Sequence, residues 1–235
     1  MVLRNVAVLL AGGTGTRVGL SIPKQLTTIA GKPIIEHTIL AMQRSPVIDE
    51  IVIMMAPGYL DEVRAITTSG GYDKVSRILV GAGSRNDTTA AALDALGEEE
   101  GNVLLHDAVR PLVSQAIIAA NVAALQTHRA VVTAIASADT VIQLSPDGAT
   151  IAGVLPRDLL RRVQTPQSFR LSTIRAAYAH AAQDPDFAAT DNGTVVQRYL
   201  PEEPIAVVAG HELNMKITEP IDIYIAEQLL RRTPV

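Results

Sequence analysis

The chain has 235 residues, 48 % of them apolar but only 3 % aromatic, with 20 basic against 24 acidic residues and a formal net charge of −4. It contains no cysteine, which excludes disulfides, zinc fingers, iron–sulfur clusters and thiol catalysis, and its mixed charge argues against a broad nucleic-acid-binding face. No apolar run approaches the roughly 18 residues that suggest a membrane span, and the run after Arg4 is too short for a secretory leader, so a soluble cytoplasmic protein is expected.

With so few aromatics the core must be built from Ala, Val, Leu and Ile, as in parallel sheets covered by helices. Short β-rich runs, "NVAVLL" (5–10), "EIVIMMA" (50–56), "VSRILV" (75–80), "NVLLHD" (102–107) and "AVVTAI" (130–135), alternate with helix-length segments. The spacing predicts helices over 33–45, with Pro33 in a first turn, about 58–68, 86–97, and 114–128, with Ser114 as N-cap. Strand, helix, strand at this pitch implies right-handed crossovers and a largely parallel twisted sheet flanked by helices.

The rhythm changes after residue 136. "DTVIQLSPDGATIAGVL" (139–155) reads as two strands around a Pro-Asp-Gly turn, a β-hairpin. An isolated ribbon is marginal in water, so this arm, taken as about 138–165, needs a surface to cover, and a partner subunit is one. Further helix is predicted near 171–182, strands at 205–210 and 214–218, and a closing helix over 219–232 that is acidic at its start and basic at its end, as the helix dipole favours. One domain, 1–235, carrying an arm accounts for the pattern.

The loop after the first strand, "LAGGTGTRVG" followed by "PKQ" (23–25), fits neither common phosphate-binding template. The third glycine of a dinucleotide fingerprint falls one position late, at Gly19, and Lys24 lacks the neighbours of a Walker lysine. Its chemistry nonetheless suits a nucleotide. Glycines let backbone N–H groups approach an anion, Arg17 and Lys24 add two cations, and Pro23 holds the chain extended before Lys24. His106 beside Asp107 suggests a dyad, but adjacent strand residues face opposite ways, so His106 reads as structural. His37, His128, His180 and His211 show no metal-ligand spacing.

Together with "GAGSRNDT" (81–88), "HDAVRP" (106–111), "DTV" (139–141), "PRDLLRRVQTPQSF" (156–169), "TDNGTVV" (190–196) and "NMKIT" (214–218), this loop resembles the cytidylyltransferases that activate polyol phosphates. That group includes 2-C-methyl-D-erythritol 4-phosphate cytidylyltransferase and ribitol-5-phosphate cytidylyltransferase. The resemblance runs almost end to end and implies a Rossmann-like nucleotidyltransferase fold with a protruding β-hairpin arm. The implied reaction joins CTP and a polyol phosphate to give a CDP-polyol and pyrophosphate, with Mg²⁺ as charge neutraliser.

On that resemblance Ala11, Gly12, Gly13 and Gly15 would line the nucleotide pocket, and Arg17 and Lys24 would hold the triphosphate. Gly81, Ala82, Gly83 and Thr88 would read the cytosine, with Arg85 and Asp87 in support. Asp107 would sit near the ribose and the metal, and Arg110, Thr165 and Lys216 would bind the acceptor phosphate. Thr140 and Arg157 would reach the neighbouring subunit's acceptor site, so a homodimer is implied. "LAGG", Val109 and the lack of a lysine two residues after Thr140 lean toward ribitol 5-phosphate over 2-C-methyl-D-erythritol 4-phosphate. A UTP- or dTTP-dependent sugar-1-phosphate nucleotidyltransferase and a non-catalytic CTP-binding protein are the alternatives.

Overall fold

The computed structural model describes residues 3–13 and 22–232. Seven strands form its main sheet: β1 (Asn5–Ala11), β4 (Glu50–Met55), β5 (Val75–Val80), β6 (Asn102–Asp107), β7 (Ala130–Ala136), β10 (Arg161–Arg170) and β11 (Ile205–Ala209). Their order is β11-β7-β10-β6-β1-β4-β5, and every pairing is parallel except those of β10, which runs antiparallel to both β6 and β7.

The alternation within each strand explains why the sheet is covered on both sides. In β1, Ala7, Leu9 and Ala11 join one apolar cluster while Val6 and Val8 join the other; Ile51, Ile53 and Met55 oppose Val52 and Met54 in β4 in the same way. The first face packs on α1 (Ile34–Gln43), α2 (Leu60–Gly70) and α4 (Gln115–Ala124) through Ile35, Ile39, Val63, Ile117 and Ile118. The second packs on α3 (Arg85–Ala95), α5 (Leu171–Ala181) and α6 (Asn192–Tyr199) through Ala92, Leu93, Ile174, Ala177, Tyr178, Val195 and Val196. The closing helix α7 (Pro220–Arg232) lies over a third, smaller cluster with Ile29, Ile34, Val109 and Ile217.

Most predicted elements are present, with helix limits shifted by a few residues. Ser114 caps α4 by accepting from the Ile117 N–H at 3.3 Å, while Pro33 precedes α1 rather than entering it and pairs in a two-residue ribbon, β2 (Thr28–Ile29) with β3 (Lys32–Pro33). The arm's strands are β8 (Ile142–Leu144) and β9 (Ile151–Val154), paired antiparallel around a turn with Gly148 at φ 71°. Two expectations are corrected. Residues 214–218 are not a strand but an extended loop. Residues 161–165, assigned to the arm, begin β10, a ten-residue strand that alternation alone did not reveal because its inner half, Gln164–Phe169, is buried on both faces and largely polar.

β1 connects onward to β4 and β5 on one side, after which the chain returns to place β6 on its other side. The carboxyl ends of β1 and β6 therefore flank a topological switch point, where open α/β sheets bind ligands.

Candidate active site

A cleft of about 400 Å³ opens there, lined by Ala11, Gly12, Gly13, Lys24, Gln25, Ala82, Gly83, Ser84, Arg85, Thr88, Asp107, Val109 and Lys216, with Leu10 at its base. A second, smaller cleft of about 150 Å³ adjoins it, lined by Arg110, Val163, Gln164, Thr165, Gln167, Thr190 and Asp191. Arg85, Asp107 and Lys216 line both, so three charged side chains form the seam between them.

Backbone proximity builds the first wall. A Cβ on Gly81 would lie 3.0 Å from the Gly12 Cα and 3.4 Å from the Met55 carbonyl oxygen, and one on Gly12 would lie 3.1 Å from Thr88 Oγ1. The loop after β1 and the loop after β5 thus touch main chain to main chain, which only glycine allows. Thr88 Oγ1 accepts from the Ala82 N–H at 3.0 Å and donates to the Ser84 carbonyl at 2.8 Å. Its hydroxyl is engaged inside the loop, so Thr88 shapes the wall of the cleft rather than offering it a side-chain donor. Asp87 is held as Ser84 caps α3 by accepting from the Asp87 N–H at 3.0 Å. Gly83 has open space around its Cα.

Opposite, Pro23 is extended at φ −54°, ψ 129° and a single 3₁₀ turn, Lys24–Leu26, follows, as the sequence predicts. Gln25 is buried and donates through Nε2 to the carbonyls of Ala11 at 2.6 Å and Gly13 at 2.9 Å. This amide, which sequence reasoning missed, ties the lysine-bearing turn to the glycine loop. Gly15 and Arg17 lie outside the described residues.

Asp107 anchors the seam. Its Oδ2 is 3.1 Å from Lys216 Nζ and 3.2 Å from Arg110 Nε, and its Oδ1 is 3.8 Å from Arg85 Nε. Burial pushes this carboxyl up, but Lys216, Arg110 and Arg85 together outweigh it and hold the group well below the usual carboxylate range. Arg110 is itself buried and also donates through Nη1 to the Asn214 carbonyl at 2.8 Å; burial lowers its pKa, and Asp107 opposes that shift.

Lys216, expected in a strand, instead stands on the loop after β11, pairs with Asp107 and has a side chain 40 % exposed. Buried Asn214 pins that loop to β10, donating to Gln164 Oε1 at 3.1 Å and to the Thr165 carbonyl at 2.9 Å. The Thr165 hydroxyl accepts from the Asp107 N–H at 3.0 Å and lies 2.9 Å from His106 Nδ1. His106 is fully buried and burial pushes its pKa down to about 4. A neutral ring whose Nδ1 accepts from Thr165 matches this geometry. His106 therefore fixes β6 against β10 and forms no dyad with Asp107.

Thr140 and Arg157 stand on the exposed arm and line neither cleft. Around them the arm exposes Val141, Ile142, Leu144, Ile151, Val154, Leu155 and Leu159, the last 81 % accessible.

No group of three or more His, Cys, Asp or Glu among the described residues could enclose a metal ion. Asp107 can contribute a single carboxylate oxygen, Oδ1, which suits an ion of the Mg²⁺ type that takes one or two protein ligands and is otherwise held by phosphates and water.

Two adjoining clefts at the switch point of a largely parallel sheet, with Arg85 and Lys216 on their shared wall, fit a nucleotidyltransferase. The profile of the 2-C-methyl-D-erythritol 4-phosphate cytidylyltransferase family matches residues 5–232. A 2-C-methyl-D-erythritol 4-phosphate cytidylyltransferase of Thermobifida fusca is 48 % identical over 233 residues, covering 97 % of this chain and 94 % of that protein. The bifunctional ribulose 5-phosphate reductase/CDP-ribitol pyrophosphorylase of Haemophilus influenzae is 37 % identical over 230 residues, 97 % of this chain and 48 % of that protein. The crystal structure of 4-diphosphocytidyl-2C-methyl-D-erythritol synthase from Anaerococcus prevotii superposes with a TM-score of 0.87 at 30 % identity, covering 98 % of this chain and 99 % of that one. The chain belongs to the 2-C-methyl-D-erythritol 4-phosphate cytidylyltransferase family. It is a cytidylyltransferase acting on a polyol phosphate, and neither alternative, the sugar-1-phosphate enzyme or the non-catalytic CTP binder, is favoured.

Proposed function

We propose that the chain joins CTP to 2-C-methyl-D-erythritol 4-phosphate, releasing pyrophosphate, as a cytoplasmic Mg²⁺-dependent homodimer. The observation that carries this reading is the shared seam: Arg85, Asp107 and Lys216 border a large cleft suited to a nucleotide and a small one suited to a phosphorylated polyol. The family profile and the Thermobifida fusca relative support methylerythritol phosphate over the ribitol 5-phosphate that the sequence leaned toward. None of the three features behind that leaning lines the small cleft. Val109 packs with Ile29 and Ile217 and lines the larger cleft, as does Leu10, the residue by which "LAGG" differs from Ala-Ala-Gly. The third, Ile142, lies on the arm.

In this reaction a phosphate oxygen of the acceptor attacks the α-phosphorus of CTP, the bond from that phosphorus to the bridging β-phosphate oxygen breaks, and pyrophosphate leaves. The attacking oxygen is already anionic near neutral pH, so no proton need be removed. The difficulty is bringing two anions together, and the remedy is positioning and fixed positive charge. Lys24 and the loop N–H groups would hold the leaving side, while Lys216 would hold the acceptor phosphate. Asp107 would keep Lys216 and Arg85 aimed at the seam. Mg²⁺ bound to Asp107 and the phosphates would supply further neutralisation.

The exposed apolar arm would cover a second copy and deliver Thr140 and Arg157 to its acceptor cleft. A pyrophosphate-release assay with CTP and either polyol phosphate tests the whole reading. Turnover with methylerythritol phosphate at least about tenfold more efficient than with ribitol phosphate is expected; the reverse ratio would restore the ribitol assignment, and silence on both would overturn the reaction.

A further inference from the structure

Arg85 enters α3 at its first turn, directly after the loop expected to read the base, yet its side chain turns away from that loop toward the seam. Its Nη1 donates to Asn192 Oδ1 at 3.1 Å and its Nε faces Asp107 Oδ1 at 3.8 Å. Asn192 begins α6 and is fully buried. Its Oδ1 also accepts from the Tyr178 hydroxyl at 2.9 Å, with the Thr89 hydroxyl, which donates to the Arg85 carbonyl at 3.0 Å, lying 3.3 Å away, while its Nδ2, also buried, meets no acceptor. Its backbone N–H and that of Gly193 are clamped by Gln167 Oε1 at 2.9 and 3.2 Å.

Two donors converging on one oxygen, Arg85 and Tyr178, fix the orientation of the carboxamide, because turning it over would face an NH₂ group toward a guanidinium that has no acceptor. The orphan Nδ2 is a desolvation cost tolerated to keep that oxygen on Arg85. The amide is also neutral, so Arg85 keeps its full charge for whatever enters the clefts, moderated only by Asp107 at a distance longer than a hydrogen bond.

We propose that Arg85 is a catalytic residue that binds the acceptor's phosphate where it meets the α-phosphate of the nucleotide, and that Asn192 is the positioning residue that aims it. This deepens the reaction proposed above and rests on it. Arg85 then belongs to the phosphate seam and not to base selection, and "TDNGTVV" contributes by building the socket behind it. A planar guanidinium with donors on two edges can touch two phosphates at once, which a lysine ammonium at the same place does less well.

The test is steady-state kinetics with CTP and each polyol phosphate, together with direct CTP binding by calorimetry, on Arg85→Gln, Asn192→Ala, Asn192→Asp and the double variant Arg85→Gln/Asn192→Ala. Arg85→Gln is expected to raise the acceptor KM and lower kcat, reducing kcat/KM for acceptor by about 10- to 100-fold, with CTP affinity within about threefold of the parent. Asn192→Ala should show the same selective loss at smaller size, about 5- to 10-fold, and add nothing in the Arg85→Gln background. Asn192→Asp, which offers the same donors an oxygen but adds a negative charge that pairs with Arg85, should keep Arg85 in place yet still bind acceptor more weakly than the parent, and parental acceptor KM in Asn192→Asp would overturn the role given to the neutral amide. An acceptor KM unchanged in Arg85→Gln, or a loss confined to CTP binding, would overturn the proposal; so would additive effects in the double variant. Should Asn192→Ala fail to fold, Arg85→Gln decides the matter, since its side chain is only partly buried. A parent inactive on every polyol phosphate would instead bring down the reaction itself.

Discussion

The nucleotide edge of the sheet and the β-arm are both loop-rich and both carry residues expected to touch substrate, yet they are built in opposite ways. At the sheet edge the charged groups described are tied to other parts of the chain. Asp107 is held by three cations, Lys216 by a loop that Asn214 pins to β10, and the Lys24 turn by the amide of Gln25. The arm has eleven residues between Ile142 and Val154 bridged by its own short ribbon, and it shows its apolar side chains to solvent. On the proposed reading, one chain supplies the charged wall of both clefts, and a second copy's arm would complete the smaller one.

The strongest way to test that contrast is to remove a cation at the sheet edge. Lys24→Ala should lower kcat by about 10²- to 10³-fold, the scale of losing one preorganised charge at a developing anion, measured by pyrophosphate release at saturating substrates. Retained kcat would mean that the leaving group is neutralised elsewhere. Almost as large an effect is expected from the arm. Ile151→Glu with Leu159→Glu should shift sedimentation from dimer to monomer and remove acceptor turnover while sparing CTP binding.

A sharper version uses two variants that are each defective, Arg157→Ala and Lys216→Ala, both expected to raise the acceptor KM far more than the CTP KM. Mixed and re-equilibrated, they should recover roughly a quarter of parental activity, because half of the dimers are mixed and one of their two sites is whole. No recovery would show that each site draws on one chain alone.

Smaller again is a pH effect on stability. His106 has a folded pKa of about 4 against an ordinary value near 6.5. The unfolded chain therefore binds the extra proton first, and stability is fully present above about pH 6.5 and lost as pH falls toward 4. The loss should be on the order of 3 kcal/mol, seen in urea melts, and His106→Asn should flatten the slope over that window. Least of all, Gly83→Ala should change stability by under about 0.5 kcal/mol, since nothing lies within 4 Å of the added methyl. The same change at Gly81 should disturb both loops.

The sequence made the parallel strands legible because alternation of small and branched apolar residues is a local signal. It also made the ligand loops legible, through glycines and cations at uncommon spacing. It did not disclose β10, whose polar Gln164, Thr165, Gln167 and Ser168 are buried by partners far along the chain. Nor did it disclose that Thr88 and Arg110 are occupied with protein groups, or that Asn192 and Gln25 stand behind the cations. These depend on side-chain amides meeting residues tens of positions away, which no local pattern encodes.

Where Gly12 and Gly81 meet, two polypeptide turns rest on one another with no side chain between them. If the proposed nucleotide placement is right, added bulk at positions 12 and 81 would push the two turns apart, and a new side chain for another nucleobase would go at Gly83, where nothing lies within 4 Å.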